Sequence, residues 1–232
     1  MKIGGLQKLT LLDYPGQIAC IVFTRGCNFR CPFCQNAGLV VPEWDDGYEV
    51  DKEEVFSYLE KRRGMLEGVV VTGGEPLIWP ELDRFLARVK GLGYRVKLDT
   101  NGSFPEHLRK LLDQRLLDYV AMDIKQAPGC YGAACGLPGQ EIARKADRSL
   151  RLLRASGIPF ELRTTLVRGI HRPEDVTAMA EWIAGPEPYY LQSYVDSGQI
   201  LAPEGLSAFS EEELRELTAL AGKFCPAAVL RR

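Results

Sequence analysis

The sequence predicts an α/β fold on a parallel sheet, either open or curled into a partial barrel. Short apolar runs alternate with longer amphipathic segments, six times over. Strands alternating with helices imply parallel pairing through right-handed crossovers. A polar cluster also closes each of the six runs, and parallel α/β folds keep their ligands at the C-terminal ends of their strands. Six units are too few for a complete eight-unit barrel. The length of 232 residues suits one such domain or two small ones, and a hydrophobic content of 46% can fill a sizeable core.

The elements follow in order. Residues 18–24 are an apolar run that reads as the first buried strand. Residues 51–63 read as a helix, with Asp51 at the N-cap and Glu54 at the capping-box position. Residues 68–72 are the second strand, and 82–90 a helix stopped by Gly91. Residues 95–100 are the third strand, and 106–114 a helix that follows Pro105. Residues 119–124 are the fourth strand, followed by a long helix at 139–156 that Gly157 stops. Residues 160–167 are the fifth strand, and 173–183 a helix with proline in its first turn. Residues 189–194 are the sixth strand, and 210–223 a last helix capped by Ser210. One domain over 1–232 is expected, with a lead-in at 1–17 and a C-terminal helix and tail from about 203 to 232.

Bulk properties exclude some functions. Lys and Arg number 29 against 31 Asp and Glu, so nothing suggests nucleic-acid binding. The longest apolar run, 18–23, is too short to span a bilayer, and the N-terminus shows no secretory signal. A reduced, cytoplasmic setting fits these features.

The polar clusters stand in register. Cys27–Cys34 follows the first strand, and Gly73-Gly74-Glu75-Pro76 the second. Asp99-Thr100-Asn101-Gly102 closes the third, and Asp123 and Lys125 the fourth. Arg163 and Thr165 lie on the fifth, and Gln192 on the sixth. Gly-Gly, Asn-Gly and Asp are ordinary turn residues one at a time. Six clusters at equivalent positions point to one shared site.

Cys27, Cys31 and Cys34 say the most. They stand as C-x-x-x-C-x-φ-C, with Phe33 as the aromatic φ. A cubane cluster usually takes four thiolates, and a structural zinc four ligands. Three thiolates without a local fourth ligand suggest a [4Fe–4S] cluster with one open iron, able to bind a ligand and pass it an electron. A zinc knuckle would use a nearby fourth Cys or His, but His107 and His171 are distant in sequence. A disulfide framework does not suit seven cysteines in a chain of this size. An open iron could chelate the amino and carboxylate groups of an amino acid. Gly73 and Gly74 would let backbone come close to such a ligand. Glu75 would accept from its ammonium, or be a solvated turn carboxylate. Lys125 and Arg163 would neutralise its carboxylate, Lys as a point charge and Arg as a planar fork; Lys125 has a surface reading as well.

These motifs resemble the radical S-adenosylmethionine (SAM) superfamily, and within it the activating enzymes of glycyl-radical enzymes. The lead-in Gly4-Gly5-Leu6-Gln7-Lys8-Leu9-Thr10-Leu11-Leu12-Asp13-Tyr14-Pro15-Gly16 and the run Met122-Asp123-Ile124-Lys125 resemble the longer form of anaerobic ribonucleoside-triphosphate reductase activating proteins. The resemblance covers about residues 3–192. It implies a partial (β/α)6 barrel in which Cys27, Cys31 and Cys34 hold a [4Fe–4S] cluster. SAM would bind the open iron and be cleaved reductively, and the resulting 5′-deoxyadenosyl radical would take a hydrogen from a glycine of a partner glycyl-radical enzyme. Gly73, Gly74 and Glu75 match the turn that holds the SAM amino group. Asp99, Thr100 and Asp123 match a set that binds a monovalent cation beside the SAM carboxylate. Lys125 and Arg163 match residues near that carboxylate and the ribose, and Phe33 and Asn36 the adenine-side loop. Gln192 closes the site from the sixth strand. A flavodoxin- or ferredoxin-like protein would donate the electron.

Two departures stand out. Gln35 occupies a position where many relatives carry His, and Cys130 and Cys135 have no counterpart. The latter two are buried thiols, a redox pair, or part of a second cluster, for which only Cys20 and Cys225 remain as further ligands. Two rival readings are a radical SAM enzyme acting on a peptide or small molecule, and an iron–sulfur carrier or sensor. Peptide-modifying relatives often carry cysteine-rich C-terminal domains, whereas this chain ends at Arg232 with Cys225 alone beyond the sixth strand. A carrier would need neither the Gly-Gly-Glu turn nor the polar strand ends.

Overall fold

The computed structural model describes residues 1–44, 47–196 and 198–231. In chain order its elements are β1 (Ile3–Thr10), β2 (Ala19–Thr24), α1 (Ala37–Val40), α2 (Lys52–Lys61), β3 (Gly68–Gly73), α3 (Leu82–Gly91), β4 (Arg95–Thr100) and α4 (Pro105–Asp113). Then come β5 (Tyr119–Asp123), α5 (Tyr131–Cys135), α6 (Gly139–Ser156), β6 (Phe160–Leu166), α7 (Pro173–Trp182), β7 (Tyr189–Ser193), α8 (Glu211–Gly222) and β8 (Ala228–Arg231). The strands form one sheet in the order β1 to β8. β1 runs antiparallel to β2, and every later pair is parallel.

The six strands read from the sequence are β2 to β7. Two more flank them. The lead-in is a strand because Gly4 and Gly5 let it lie close to its neighbours: a Cβ on Gly4 would sit 2.4 Å from Leu39. The C-terminal tail ends in β8, which adds a seventh parallel strand beside β7. The helix starts follow the expected chemistry, with one change. Asp51 caps α2 through the Glu53 amide, at 2.6 Å, and no capping box with Glu54 forms. Ser210 and Glu213 form a reciprocal capping box at α8.

Strand alternation divides the sheet into two unlike faces. Cys20, Val22, Val69, Val71, Val96, Leu98, Val120 and Met122 point outward, buried under the apolar stripes of the helices. Ala19, Ile21 and Val70 point inward and form a small apolar plug with Tyr14. Phe23 and Tyr119 pack against this plug, and toward the C-terminal strand ends the inner face turns polar. The sheet curls, because the Tyr14 ring beyond β1 lies 6.0 Å from the Tyr119 ring on β5. Its edge strands β1 and β8 do not pair, so the barrel stays open at the side.

Glu161 on β6 is fully buried on this inner face. The Tyr119 hydroxyl donates to it at 2.9 Å, and the Arg231 guanidinium on β8 donates to both of its oxygens at 2.8 and 3.1 Å. The Arg231 guanidinium also stacks 3.4 Å from the Tyr190 ring centroid. β8 is thus pinned by a charge pair whose carboxylate is buried and whose guanidinium is half-buried, as well as by its ladder. Breaking a buried pair from one side leaves an uncompensated charge, at roughly 3–5 kcal/mol. Arg231→Ala should therefore lower urea stability by about 3 kcal/mol, whereas Arg231→Leu combined with Glu161→Leu should recover most of the loss. Equal losses in both variants would contradict the pairing.

Candidate functional site

The loop that carries the cysteines is held by backbone, mainly from β3. The Gly74 amide donates to the Thr24 carbonyl at 2.9 Å, and the Glu75 amide to the Gly26 carbonyl at 2.8 Å. A Cβ on Gly74 would lie 1.9 Å from the Gly26 oxygen, and one on Gly73, at φ +110°, 2.5 Å from the Thr24 oxygen. The two glycines are therefore required by the close crossing of two main chains. Arg25, itself buried, ties the loop down further by donating to the Tyr48 and Gly38 carbonyls at 3.1 Å each.

A cavity of about 400 Å³ opens over the C-terminal strand ends. Cys27, Cys31, Cys34, Phe33, Asn36, Gly73, Gly74, Asp99, Thr100, Asp123, Lys125, Arg163 and Gln192 all line it, as do Gln35 and Thr165. All but one of the site residues read from the sequence thus converge. The exception is Glu75. Its side chain is buried beneath the floor, where Oε1 accepts from the Thr100 hydroxyl at 2.7 Å and the Leu77 amide at 3.1 Å, and Oε2 from the Asn101 amide at 2.7 Å. It is neither a solvated turn carboxylate nor an open acceptor; it braces the end of β4 against the β3 turn.

The thiols are suited to a metal. Burial pushes those of Cys27 and Cys31 up to about 12, so unaided they stay protonated, and a coordinating metal deprotonates them. The Phe29 amide donates to Cys27 Sγ at 3.3 Å, and Asn101 Nδ2 approaches the same sulfur at 3.9 Å. Among the described residues no three His, Cys, Asp or Glu side chains gather as a single-ion site. Cys27, Cys31 and Cys34 nonetheless all line the one strand-end cavity. Cys130 is exposed and Cys135 buried; all seven cysteines are free. Cys20 is buried in β2, as expected of a core thiol.

The floor is a ladder of alternating charge. Lys97 Nζ lies 2.5 Å from Asp99 Oδ1, Arg163 donates to Asp99 Oδ2 at 3.0 Å and to Asp123 Oδ1 at 3.1 Å, and Lys125 Nζ lies 2.9 Å from Asp123 Oδ2. The carboxylates expected beside a monovalent cation are thus bridged by three protein cations. Burial alone would raise the Asp123 carboxyl, but Lys125 and Arg163 together bring it down to about 2. Burial opposes the charges of Lys125 and Arg163 too, and the neighbouring aspartates more than restore them.

Sequence reasoning missed several supports. Lys97 is almost fully buried, although its place two residues before Asp99 on one strand face would have put it inside. Asn28, Asn101 and Ser103 form a side-chain network behind Cys27, with contacts of 2.6–3.0 Å. His171 is no ligand. Its Nδ1 accepts from the Val167 amide at 3.0 Å, so Nε2 carries the proton and donates to the Lys125 carbonyl at 2.9 Å. It clips the end of β5 in place. Gln35 donates to the Val195 carbonyl at 2.8 Å.

Burial raises the Glu75 carboxyl from 4.5 to about 7, against the three donors that lower it. A raised acid contributes stability that is full below the unfolded value and is lost as the pH climbs through the folded one. Relative to Glu75→Gln, the wild type should therefore lose stability between pH 4.5 and about 7. Thermal melts of both proteins across that range test the sign, and a flat difference would show a carboxylate already ionised in the folded state.

Comparison with known proteins gives the family and the fold. A protein of Methanocaldococcus jannaschii, described as a glycyl-radical enzyme activating enzyme, is 31% identical over 99% of this chain and 95% of its own. The 7-carboxy-7-deazaguanine synthase of Methanopyrus kandleri is 27% identical over 90% of this chain and 81% of its own. A pyruvate formate-lyase-activating enzyme of Staphylococcus aureus is 32% identical over 52% of this chain and 51% of its own. Among solved structures, a radical SAM methyltransferase from Sphaerobacter thermophilus shares the fold, with a TM-score of 0.69 at 16% identity over 96% of this chain and 68% of that one. The profile of the radical SAM superfamily matches residues 21–183. The chain belongs to the radical SAM superfamily, whose enzymes work with a [4Fe–4S] cluster and S-adenosylmethionine.

Proposed function

We propose that this enzyme installs a glycyl radical on a partner protein. One observation carries the reading: the likeness to the Methanocaldococcus jannaschii activating enzyme runs over nearly the whole of both chains. Cys27, Cys31 and Cys34 hold the cluster. Phe33, Asn36, Gly73 and Gly74 border the adenine and amino end of SAM, while Thr100, Asp123, Lys125, Arg163 and Gln192 surround its carboxylate and ribose. Asp99 acts through Arg163, whose guanidinium it fixes from one side while Asp123 fixes it from the other. When bound, cluster and SAM together supply a 5′-deoxyadenosyl radical that takes hydrogen from the glycine α-carbon. The protein's part is to hold carboxylate and ribose against a prearranged charge ladder and to exclude water from the strand ends. A lateral opening between β1 and β8 admits an extended loop of the partner.

The partner is an anaerobic ribonucleotide reductase or a similar glycyl-radical enzyme, and the electron donor a flavodoxin- or ferredoxin-like protein. No helix among the described residues is long and apolar enough to cross a membrane. Seven free thiols suit the reducing cytoplasm. A second reading, a small-molecule substrate, is favoured by the likeness to 7-carboxy-7-deazaguanine synthase over 90% of the chain.

Anaerobic reconstitution should load about four irons per chain. Cys27→Ala, Cys31→Ala or Cys34→Ala should abolish the cluster, and Cys130→Ala should leave it intact. Iron near eight per chain that falls in the Cys130 variant would mean a second cluster. Asp123→Ala and Arg163→Ala should keep the iron and weaken SAM binding by about tenfold to a hundredfold, the worth of roughly 1.5–3 kcal/mol in a hydrogen bond to a charged group; calorimetric titration reads this directly.

The partner is tested by electron paramagnetic resonance. Incubation with SAM, reductant and an anaerobic ribonucleotide reductase should produce a doublet radical on the reductase, collapsed by α-deuterated glycine labelling. Tight coupling of SAM cleavage to a small molecule, with no radical on any glycyl-radical protein, would favour the second reading.

A further inference from the structure

We propose that the groove between α6 and α7 is where an acidic one-electron carrier protein docks to reduce the cluster. The inference rests on the cluster assignment above and adds the route by which its electron arrives. The groove, about 600 Å³, shares no lining residue with the strand-end cavity. Its walls are apolar at Pro128, Ala143 and Trp182, and its rim is basic at Arg144, Arg148 and Arg151.

Charge selects the partner. Among the residues that line the groove, Arg144, Arg148 and Arg151 stand against Asp147, a net +2 from three minus one, in a chain of net charge −2. Arg148 pairs with Glu106 and Arg151 with Asp147, but the two guanidinium side chains are 53% and 77% exposed. Exposed pairs of this kind hold little energy and exchange readily for a partner's carboxylates. A concentrated basic rim on an otherwise acidic protein steers an acidic partner to this face.

The packing behind the groove supplies the second argument. Trp182 in its wall is half-buried, and its indole N–H donates to Asp147 at 3.2 Å. Its ring meets that of Tyr131 edge-on, with centroids 6.1 Å apart. Tyr131 is fully buried and starts α5. The carbonyl of Cys135, at the other end of α5, accepts from the Arg30 amide at 2.9 Å, and Arg30 adjoins Cys31. One ring contact, one short helix and one hydrogen bond thus connect the groove wall to a cluster-binding residue. Electron tunnelling decays more slowly through bonded and packed atoms than through solvent gaps, so a carrier seated here is coupled to the cluster. The step balances simply: the reduced carrier gives up one electron and leaves oxidised, the cluster passes from the 2+ to the 1+ state, and no atom is transferred.

The test uses reconstituted holoenzyme, with bleaching of the cluster's visible absorbance as readout. Photoreduced flavodoxin is the acidic carrier, and photoexcited 5-deazaflavin the small reductant that needs no docking. Arg144→Glu/Arg148→Glu/Arg151→Glu should slow reduction by flavodoxin on the order of tenfold or more and flatten its salt dependence. Reduction by deazaflavin should not change. Trp182→Ala should slow the limiting rate at saturating flavodoxin, and Trp182→Phe should restore most of it. If the triple variant unfolds, Arg144→Glu alone, with the salt dependence of the wild type, gives the same reading. An unchanged flavodoxin rate, equal slowing with both reductants, or a wild-type cluster that flavodoxin does not reduce would overturn the proposal. Iron content and radical formation under deazaflavin report separately on the activase reading.

Discussion

The α-carbon of Gly74 rests against the carbonyl of Gly26, and no side chain fits between them. That contact fixes the cysteine loop to the end of β3. Two amides from the turn reach back to the loop across it, and Glu75 then extends the brace one strand further, to Thr100 and Asn101 on the end of β4. The same Asn101 approaches the sulfur of Cys27. Three strand ends are thereby locked into one rigid rim, built from main chain and one buried carboxylate. Side chains that bind a cofactor work best on such a support, because their positions depend on no flexible arm.

The inner face adds the electrostatic half of the design. Alternation along β4, β5 and β6 aims Lys97, Asp99, Asp123, Glu161 and Arg163 at the space that a closed barrel would fill with apolar layers. Buried charges are costly unless each has a partner. Here every member of the ladder has one, and Asp99, Asp123 and Arg163 have two each. The price of desolvation is met when the chain folds, so the wall presents oriented charge without reorganising around a ligand.

Much of this was legible in the sequence. The strands β2 to β7 are short apolar runs bounded by turn signals, and burial on the outer face makes such runs unambiguous. The polar residues at their ends marked the cavity because a parallel sheet puts all of those ends on one side. β1 and β8 were harder to read. β1 carries Gln7 and Lys8 in place of an apolar run, and β8 is four residues long with Arg231 facing inward. Both depend on neighbours that no local pattern reveals. Glu75 was read as a ligand contact or a solvated turn carboxylate because a glutamate in a glycine turn is normally exposed, and only the fold shows it enclosed by three donors. Lys97 escaped notice for the opposite reason: lysine on a strand suggests solvent, and the open barrel makes that face an interior.

The order of the strands has a further consequence for how such a scaffold changes over time. Each strand neighbours the one before it in the chain, from β1 to β8. Another strand and helix could therefore be appended beyond β8 without rethreading any existing connection. Each addition would narrow the side opening and leave the cysteine rim where it is. The width of the mouth, and with it the size of molecule that reaches the strand ends, can thus drift by gene extension at one terminus while the chemistry at the other stays fixed.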